Sequence, residues 1–432
     1  MREEIRQRIE AIRRGEVPEG YKRLEGYTVP IEWEAVPFNS LFERSTRKND
    51  TGCENVLTVS AQMGLVSQRE YYEKDIASED KSGYFLLKNG DYAYNKSYST
   101  GYPYGAIKQL VDYDEGIVSP LYICFTPKAG TNTSFYSQYF EGGMYNREIY
   151  RFAQEGARNH GLLNIPVEDF FTGALIVPSR VEQRRIAEIL YTCDRAIRLK
   201  QELIDEKRKQ KQSLMNRLLL PNCTDHIPGT ELSQWEKVTL FDCCRRKGEY
   251  GLNAPACDYS PELPQYIRIT DIDDNGQYIR EAPVSVVSTE ASNYYLHPGD
   301  LLFVRTGGTT GKVYHYRESD GLLVYAGFLI RFSVNTEMFD DYYIYTQFET
   351  TSYWNWVKTM STRSGQPGIN AEEYGSYSFW VPEDIKKQHE IAAAFKCIDH
   401  ELHLLNNEVC AWQQKKKSLM QLLLTGLVRV NA

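Results

Sequence analysis

Two stretches of this chain, QRRIAEILYTCDRAIRLKQELIDEKRKQKQSLMNRLL at residues 183–219 and QHEIAAAFKCIDHELHLLNNEVCAWQQKKKSLMQLLL at residues 388–424, align without a gap at an offset of 205. Identical residues occupy these aligned positions: Gln183/Gln388, Ile186/Ile391, Ala187/Ala392, Asp194/Asp399, Leu199/Leu404, Lys211/Lys416, Ser213/Ser418, Leu214/Leu419, Met215/Met420, Leu218/Leu423 and Leu219/Leu424. An internal duplication of this length sets the architecture. A chain built as two copies of one unit most naturally engages something that itself has two halves.

Each copy predicts a long helix with a coiled-coil-like seam, because apolar residues recur at alternating steps of four and three. Proline or glycine brackets each helix, so we predict helices at 178–221 and 382–425. The seam residues expected to pair the helices are Ile186, Leu190, Ile197, Ile204, Leu214 and Leu218 in the first copy, and Ile391, Phe395, Ile398, Leu402, Leu405, Val409, Trp412, Leu419 and Leu423 in the second. The spacing alone leaves parallel packing, antiparallel packing and ordinary core helices open.

Lysines interrupt the seam of the first copy at Lys200, Lys207 and Lys211. We expect either looser packing there or lysines that extend outward to solvent.

The globular segments at 33–177 and 235–381 resemble each other only in short phrases. Trp33-Glu34-Ala35-Val36 and Trp235-Glu236-Lys237-Val238 open them, and both contain a Gly-Asp pair, at Gly90-Asp91 and Gly299-Asp300. Short strand-like runs mixed with a few helices predict two compact α+β domains. Residues 1–32 are expected to form a helical arm, 222–234 a linker and 426–432 a tail. The helices repeat closely, whereas the globular domains have diverged. This contrast favours two domains that recognise two different targets.

The amino-acid composition limits which classes of protein are possible. Among 432 residues, 42% are hydrophobic and 25% charged, which is ordinary for a soluble protein. The nine cysteines include no Cys-x-x-Cys spacing, and no apolar run reaches membrane-spanning length. We therefore expect a cytoplasmic protein without a membrane anchor. A net charge of −8 argues against gripping nucleic acid by charge alone, although local basic surfaces or basic partners remain compatible with it.

No catalytic motif emerges from the sequence. The run from Gly307 to Lys312 fails as a phosphate loop, because Thr306 and Val313 stand where that motif needs Gly and Ser or Thr. No glycine fingerprint for a dinucleotide or S-adenosylmethionine is present, and the histidines do not fall at metal-ligand spacings. We predict no catalytic residue, no metal and no cofactor.

Loops that interleave basic, hydroxyl and aromatic side chains are the remaining candidates for function. Arg and Lys neutralise phosphates, while Arg and Gln read purine edges. For each residue alone, an ordinary solvated loop is the alternative. The predicted DNA contacts are Arg44, Arg47, Lys48, Lys96, Ser97, Tyr98, Tyr104 and Lys108 in the first domain, and Arg245, Arg246, Arg305, Thr306, Thr309, Thr310, Lys312, Arg363, Ser364 and Gln366 in the second.

Together these motifs resemble the specificity subunits of type I restriction–modification systems. The resemblance lies in the Pro-to-Gln-x-x-Ile-Ala helix openings at 178–187 and 382–392, the Lys-x-Ser-Leu-Met-x-x-Leu-Leu helix ends, and the closing Leu424-Thr425-Gly426. It covers essentially the whole chain.

This resemblance implies a division of labour. Each globular segment would be a target recognition domain reading one half of a bipartite double-stranded DNA site. The paired helices, antiparallel in this family, would set the gap between half-sites and dock two methyltransferase subunits, with restriction/translocase subunits joined through them. Methyl transfer and cleavage, with S-adenosylmethionine and ATP, would belong to those partners. The arm from Ile5 to Arg14 is expected near the end of the second long helix.

Three rival classes make different predictions. A two-headed coiled-coil scaffold would show no salt-dependent DNA binding. A stand-alone DNA-binding regulator would bind a specific site tightly without partners. A self-sufficient methyltransferase is disfavoured by the absent motifs, and would bind S-adenosylmethionine.

Overall fold

The computed structural model describes residues 3–72, 81–153, 158–159, 162–221, 234–362 and 368–430. The chain divides into two compact units. The first contains residues 1–200 and 408–432, and the second contains residues 201–407. Each unit holds one of the predicted globular segments together with parts of both long helices.

The first unit has short strands and helices followed by the start of a long helix. Its elements are α1 (Glu3–Arg13), β1 (Tyr21–Leu24), β2 (Tyr27–Pro30), β3 (Glu34–Pro37), α2 (Phe38–Leu41), β4 (Phe42–Arg44), β5 (Leu57–Ser60), β6 (Gly64–Ser67), α3 (Gln68–Tyr72), β7 (Phe85–Lys88), β8 (Tyr92–Asn95), β9 (Ala106–Gln109), β10 (Glu115–Val118), β11 (Ile123–Pro127), α4 (Thr133–Glu141), α5 (Asn146–Phe152), β12 (Arg158–Asn159), β13 (Leu162–Leu163), α6 (Val167–Phe170), β14 (Ala174–Val177) and α7 (Arg180–Leu218).

The end of α7 belongs to the second unit, which follows the same plan. Its further elements are β15 (Trp235–Thr239), β16 (Glu249–Tyr250), β17 (Ala256–Asp258), β18 (Gln265–Ile267), β19 (Val284–Val286), β20 (Asp300–Val304), β21 (Val313–His315), β22 (Leu323–Tyr325), β23 (Leu329–Ser333), α8 (Asp341–Gln347), α9 (Thr351–Met360), α10 (Ala371–Gly375), β24 (Ser378–Pro382) and α11 (Ile385–Leu423), with 3₁₀ helices at Ile269–Asp271, Ala291–Tyr294 and Glu318–Asp320. The two long helices are thus α7 and α11.

Both globular domains contain the same four-stranded antiparallel sheet. The strand order is β4-β11-β8-β9 in the first domain and β16-β23-β20-β21 in the second. In both, the strand after the Gly-Asp pair is central and hydrogen-bonds to the strand that follows it. The weakly similar phrases therefore mark one shared scaffold.

The opening and closing strands of each domain pair with each other. Glu34 of β3 lies opposite Val177 of β14, and Glu236 of β15 lies opposite Val381 of β24. This pairing explains why the Trp-Glu-x-Val phrase and the extended stretch before each long helix both recur. Together they bring the two ends of the domain to the start of the helix.

Away from this scaffold the domains differ. The first has two-stranded ladders, β5 with β6 and β7 with β10. The second has instead a second four-stranded sheet, β17-β19-β18-β22, in which β18 and β22 run parallel. Different sequence between the shared phrases has thus produced different surfaces on one frame.

The repeated helix residues occupy equivalent places in the two cores. In the first unit, the start of α7 and the end of α11 enter the core through Ile186, Ala187, Leu190, Met420, Leu423 and Leu424. In the second, the start of α11 and the end of α7 enter it through Ile391, Ala392, Phe395, Met215 and Leu219. Each domain is therefore completed by both helices, which accounts for most of the identity between the copies.

The long helices run antiparallel in each unit. In the first unit, Lys416 pairs with Asp194 at 2.6 Å, and Lys200 pairs with Glu408. In the second unit, Lys207 pairs with Glu401 at 2.8 Å and Lys211 with Asp399 at 2.6 Å. Residue numbers rise along α7 as they fall along α11. The α+β fold with two domains and antiparallel paired helices is confirmed.

Every predicted seam residue is buried or half-buried. The seam lysines behave differently from the expectation of free, outward-pointing side chains. Lys200 and Lys207 meet carboxylates of the facing helix, and Lys211 is buried among carboxylates, with 7% of its surface exposed. The sequence pattern missed these acidic partners, because they stand at positions between the apolar seam residues.

The amino-terminal arm contacts the end of α11 within the first unit. Arg8 donates a hydrogen bond to the carbonyl of Leu427 at 3.3 Å, and the Tyr21 hydroxyl donates one to Gly426 at 2.7 Å. Gly426 has a positive φ of 70°, and a Cβ there would meet the ring of Pro30 at 2.4 Å. The expected position of the arm is confirmed. Because Gly426 has no side chain, the chain can turn there close to the ring of Pro30.

Candidate nucleic-acid interface

The Gly-Asp pairs build the frame of the two domains. Gly90 and Gly299 have positive φ values of 93° and 89°, which glycine adopts without strain. The buried Asp91 carboxylate accepts hydrogen bonds from the Lys88 amide at 2.7 Å and the Thr126 hydroxyl at 2.8 Å. This phrase therefore fixes a turn at the start of the central strand.

Asp300 has the same role in the second domain. It accepts hydrogen bonds from the His297 amide at 2.9 Å and from the Ser333 hydroxyl. Burial raises the pKa of Asp300, while these hydrogen bonds oppose the rise. Like Asp91, it stabilises the turn from inside.

Two predicted DNA contacts in the first domain are engaged internally. Arg47 forms an ion pair with the buried Asp91. Lys108 is paired with Glu141, lies 4.8 Å from the Tyr102 ring centre, and has only 11% of its side chain exposed. Because their charges are already matched by carboxylates, Arg47 and Lys108 are poor candidates for phosphate or base contacts. The sequence pattern could not show this, since both carboxylates are distant along the chain.

Among the residues that the structure describes, the other candidates of the first domain are not paired with buried carboxylates. Arg44 pairs with the exposed Glu168 at 3.2 Å, and Lys48 donates to the Gly83 carbonyl at 2.9 Å while lying over the Phe85 ring. After β8 come Lys96, Ser97 and Tyr98: Lys96 and Ser97 are half-buried and Tyr98 is 57% exposed. Tyr104 is half-buried beside the Tyr150 ring.

Lys96 is the most available cation of this group. Its ammonium has no hydrogen bond or ion pair with the parts of the chain that the structure describes. Together with the exposed Tyr98 ring, it makes the loop after β8 the best contact candidate in the first domain.

The second domain contains a cleft of about 670 Å³ beside the loop after β20. Arg305, Arg268, Tyr250 and Phe328 line it, along with backbone around Gly251 and Gly327. Tyr250 is 44% exposed and Phe328 is 59% exposed. A cleft with guanidinium groups, aromatic faces and accessible backbone suits a nucleic acid, which offers both anionic phosphates and flat bases.

Arg305 is the central residue of this cleft. Its guanidinium carbon lies 4.8 Å from the centre of the Tyr250 ring, a cation–π contact that orients the planar group. Its backbone is fixed on both sides, since the Arg305 amide donates to Phe328 and its carbonyl accepts from Ile369. Over the residues that the structure describes, no carboxylate pairs with its charge. Arg305 is therefore held in place with its hydrogen-bonding edge available.

Arg268, across the cleft, is already paired. It donates to both carboxylate oxygens of Asp271, at 2.9 and 2.8 Å. The hydrogen bonds that Arg268 donates to this carboxylate raise the pKa of Arg268, so the guanidinium stays charged. Arg268 therefore forms a fixed part of the cleft wall, and it is not a free cation.

The rest of the loop after β20 is mostly structural. The Thr310 hydroxyl donates to the Gly307 carbonyl at 2.7 Å, the Thr309 carbonyl accepts from the Lys312 amide, and Thr306 forms a bridge with Gly368. Lys312 pairs with the exposed Asp274 at 2.7 Å and lowers the pKa of that carboxyl. Only 15% of the Lys312 side chain is exposed, so Lys312, like Lys108, is a poor candidate for a phosphate contact.

The remaining basic candidates lie on the surface near β16. Arg245 donates to the Thr336 hydroxyl at 3.2 Å, and Arg246 pairs with Glu249 at 3.1 Å. Arg363, Ser364 and Gln366 lie outside the described residues. The predicted second-domain residues thus fall on several loops, and of those that the structure describes only Arg305 lines the cleft.

Sequence reasoning missed Tyr250, Arg268 and Phe328. They come from three separate segments of the second domain and are brought to Arg305 by β16, β18 and the turn before β23. No local motif could have identified them, because the cleft depends on strand pairing across the domain. The only sequence signal for this cleft was Arg305, which follows a buried β-strand.

Neither a metal cluster nor a membrane span is found in the parts of the chain that the structure describes. Over the described ranges, no three His, Cys, Asp or Glu side chains are grouped so that they could hold a metal ion. None of the helices described has an apolar stretch long enough to cross a bilayer.

Comparison with known proteins points to one class. Residues 233–409 match the family model described as "Type I restriction modification DNA specificity domain". The chain is 22% identical over 440 residues to the putative type I restriction enzyme MjaX specificity subunit of Methanocaldococcus jannaschii, covering 96% of this chain and 97% of that protein. The MjaVIII specificity subunit of the same organism is 22% identical over 295 residues, covering 65% of this chain and 68% of the relative.

A solved structure supports the same fold. The crystal structure of the type I restriction–modification S subunit from M. genitalium aligns with a TM-score of 0.55 at 13% identity, covering 93% of this chain and 97% of that one. The fold of the chain, with two domains and two long helices, is therefore shared with that S subunit. The second domain of the chain thus matches the specificity-domain family model, and over most of its length the chain is similar to type I restriction enzyme specificity subunits.

Proposed function

We propose that this chain reads a bipartite double-stranded DNA site, with one recognition domain for each half. The observation that carries this proposal is the contrast between the two domains. They share the central sheet and its buried aspartate, yet they differ in the sheets and loops around it. Two surfaces that diverge on one frame are what two different half-sites require.

Reading of the second half-site centres on Arg305. A guanidinium held over Tyr250 presents two parallel N–H groups, which match the O6 and N7 acceptors of guanine in the major groove. Phe328 and the Tyr250 ring edge supply apolar contacts for neighbouring bases. In the first domain, Lys96 and Tyr98 supply one cation and one exposed aromatic ring, which suit a phosphate and a base.

The long helices fix the spacing between the half-sites in this proposal. Each helix belongs to both units, and its ion pairs with the other helix occur in both. In this proposal the length of the helical pair determines where each domain meets the DNA.

The chain itself is not an enzyme in this proposal. Two methyltransferase subunits bind it, restriction/translocase subunits join through them, and those partners hold S-adenosylmethionine and ATP. The net charge of −8 supports such a division, because an acidic chain gains little from counterion release without basic partners on the same DNA.

DNA binding by the purified chain, with and without methyltransferase subunits, tests this proposal. The chain alone should bind weakly and without sequence preference, and specific salt-dependent binding should appear when the methyltransferase subunits are added. Nanomolar specific binding by the chain alone would instead identify a stand-alone regulator. Absence of salt-dependent binding in both cases would identify a scaffold.

A further inference from the structure

Leu199 and Leu404 stand out when the two helix copies are compared position by position. Eighteen aligned pairs between Arg184/His389 and Asn216/Gln421 are exposed in both copies. Sixteen of these pairs have diverged, and only Leu199/Leu404 and Ser213/Ser418 are identical. Divergence has therefore altered nearly every exposed position that folding leaves free.

The other identities have reasons inside the fold. Ile186/Ile391, Ala187/Ala392 and Leu219/Leu424 are buried in the domain cores. Gln183 and Gln388 each donate a side-chain hydrogen bond to a proline carbonyl at the helix start, at 2.9 and 2.8 Å. The ion pairs of the helices use Asp194/Asp399 and Lys211/Lys416.

The leucine pair has no such reason. Leu199 is 51% exposed and Leu404 is 50% exposed, and neither belongs to a core cluster of the described residues. One exposed leucine on a protein surface needs no explanation. Two exposed leucines at one repeat position, retained while most of their neighbours changed, favour a contact that both copies make.

The side chain beside each leucine is also similar in the two copies, since both carry a nitrogen donor. One turn earlier lie Arg195 and His400, both basic, and neither is ion-paired with the residues that the structure describes. The position one turn later is not shared, since it holds Leu203 in one copy and Glu408 in the other. The common feature is therefore a leucine with a basic residue on its amino-terminal side.

We propose that Leu199 and Leu404 are equivalent docking points for two copies of one protein partner, each inserting into an apolar depression that has a carboxylate at its edge. Two equal contacts on a duplicated chain favour one partner present twice. This inference rests on the proposed function, in which two methyltransferase subunits bind the helices, and it assigns their contact to these residues.

Native mass spectrometry of the full chain with a type I methyltransferase subunit from the same genome tests the assignment. The wild-type chain should carry two methyltransferase subunits. Leu199→Glu and Leu404→Glu should each carry one, with the lost subunit bound at least about tenfold more weakly, and the double variant should carry none. Leu199→Met with Leu404→Met should retain two, because methionine preserves the apolar contact.

Leu203→Glu is the matched control. It makes the same chemical change one turn away, at a position where the second copy already has Glu408. It should retain two subunits, and a loss equal to that of Leu199→Glu would show that the leucine pair has no special role.

The proposed function and the docking assignment fail in different ways. A wild-type chain that binds no methyltransferase subunit contradicts the proposed function. A double variant that is folded by circular dichroism and still binds two subunits with wild-type affinity overturns the docking assignment alone. If the double variant instead converts a dimer of this chain to a monomer, the leucines bind a second copy and the assignment is also wrong.

Discussion

The two recognition domains agree in their interior and differ at their surface. Both place a buried aspartate after a positive-φ glycine and close their first and last strands beside a long helix. Yet Arg47 of the first domain neutralises its aspartate directly, whereas Arg331 in the second lies 3.9 Å from Asp300 and pairs mainly with Glu249. The frame is common, and the charges around it have been rearranged.

The difference extends to the candidate DNA contacts. Arg47 and Lys108 of the first domain are matched by internal carboxylates, whereas Arg305 of the second has an aromatic support and no described carboxylate partner. Basic residues in a similar loop therefore do not have similar roles. Function in each domain depends on which cations the frame leaves unmatched.

The largest expected effect is a difference in unfolding free energy between substitutions of the two repeat-related lysines of the helices. Lys211 contacts Glu349 at 2.7 Å and Asp399 at 2.6 Å in a buried site. Lys211→Met leaves two carboxylates without their cation and should cost about 3–5 kcal/mol of unfolding free energy. Lys416→Met leaves only the partly exposed Asp194, which also accepts from Gln138, and should cost no more than about 2 kcal/mol.

Urea denaturation of the purified variants measures this difference. Equal losses for the two lysine substitutions would show that the additional carboxylate in the second unit does not matter.

The frame aspartates should show the next largest effect. Asp91→Ala removes the acceptor for the Lys88 amide, the Thr126 hydroxyl and Arg47, and should cost about 2–4 kcal/mol. Asp300→Ala should cost about 1 kcal/mol less, because Arg331 keeps Glu249. The same denaturation experiment ranks them, and a larger loss for Asp300→Ala would reverse our interpretation of the two arginines.

Base reading by the second domain is tested by Arg305→Lys. Lysine keeps the positive charge but loses the planar fork, so discrimination at one guanine should fall by about 1–3 kcal/mol. Methylation mapping should show a relaxed base in one half-site only. Lys96→Ala in the first domain is the counterpart, and it should alter only the other half or weaken binding to all sequences alike.

Disturbance of both half-sites by Arg305→Lys would contradict the assignment of one domain to each half.

The smallest effect is a pH dependence confined to the second unit. Burial and the nearby Asp399 charge raise the pKa of Glu349, although Lys211 opposes the rise. The folded chain therefore retains a proton that the unfolded chain loses near pH 4.3, and stability falls as pH rises from about 4.3 through the raised pKa. Glu349→Gln should flatten this part of a curve of unfolding free energy against pH, because glutamine has no proton to lose.

The unfolding free energy of the wild type minus that of Glu349→Gln should fall over this pH interval, and a difference that stays constant or rises would contradict the raised pKa of Glu349.

Sequence reasoning predicted the frame well and the site poorly, for a physical reason. Helix pairing depends on residues repeated along one chain segment, so the spacing predicted Ile186 and Ile391 as helix-pairing seam residues. Their place in the two domain cores was seen only in the structure. The state of a charged side chain depends on distant partners: Glu141 for Lys108, Glu349 for Lys211 and Tyr250 for Arg305. No local pattern contains that information.

The Gly-Asp pairs show the same limit. Their recurrence correctly marked equivalent points of the two domains, and the loops after them were predicted to bind DNA. The aspartates themselves are buried acceptors of the frame. Recurrence thus identified the shared scaffold, while the functional difference lay in residues that do not recur.

The central claim is that two different domains read two half-sites whose separation is set by the paired helices. Methylation mapping by single-molecule sequencing tests it most directly in a variant with four residues inserted after Lys200 and four after Asn407. These points are opposite one another, because Lys200 pairs with Glu408. Four residues add roughly one turn, about 6 Å, and keep the seam approximately in register. Matched two-residue insertions would rotate the stripes by about 200° and should abolish activity.

DNA rises about 3.4 Å for each base pair. The variant with four-residue insertions should therefore methylate the same two half-sites as the wild type, with a gap that is one or two unspecified base pairs longer. An active variant with both half-sites and an unchanged gap would contradict the claim that these helices set the spacing.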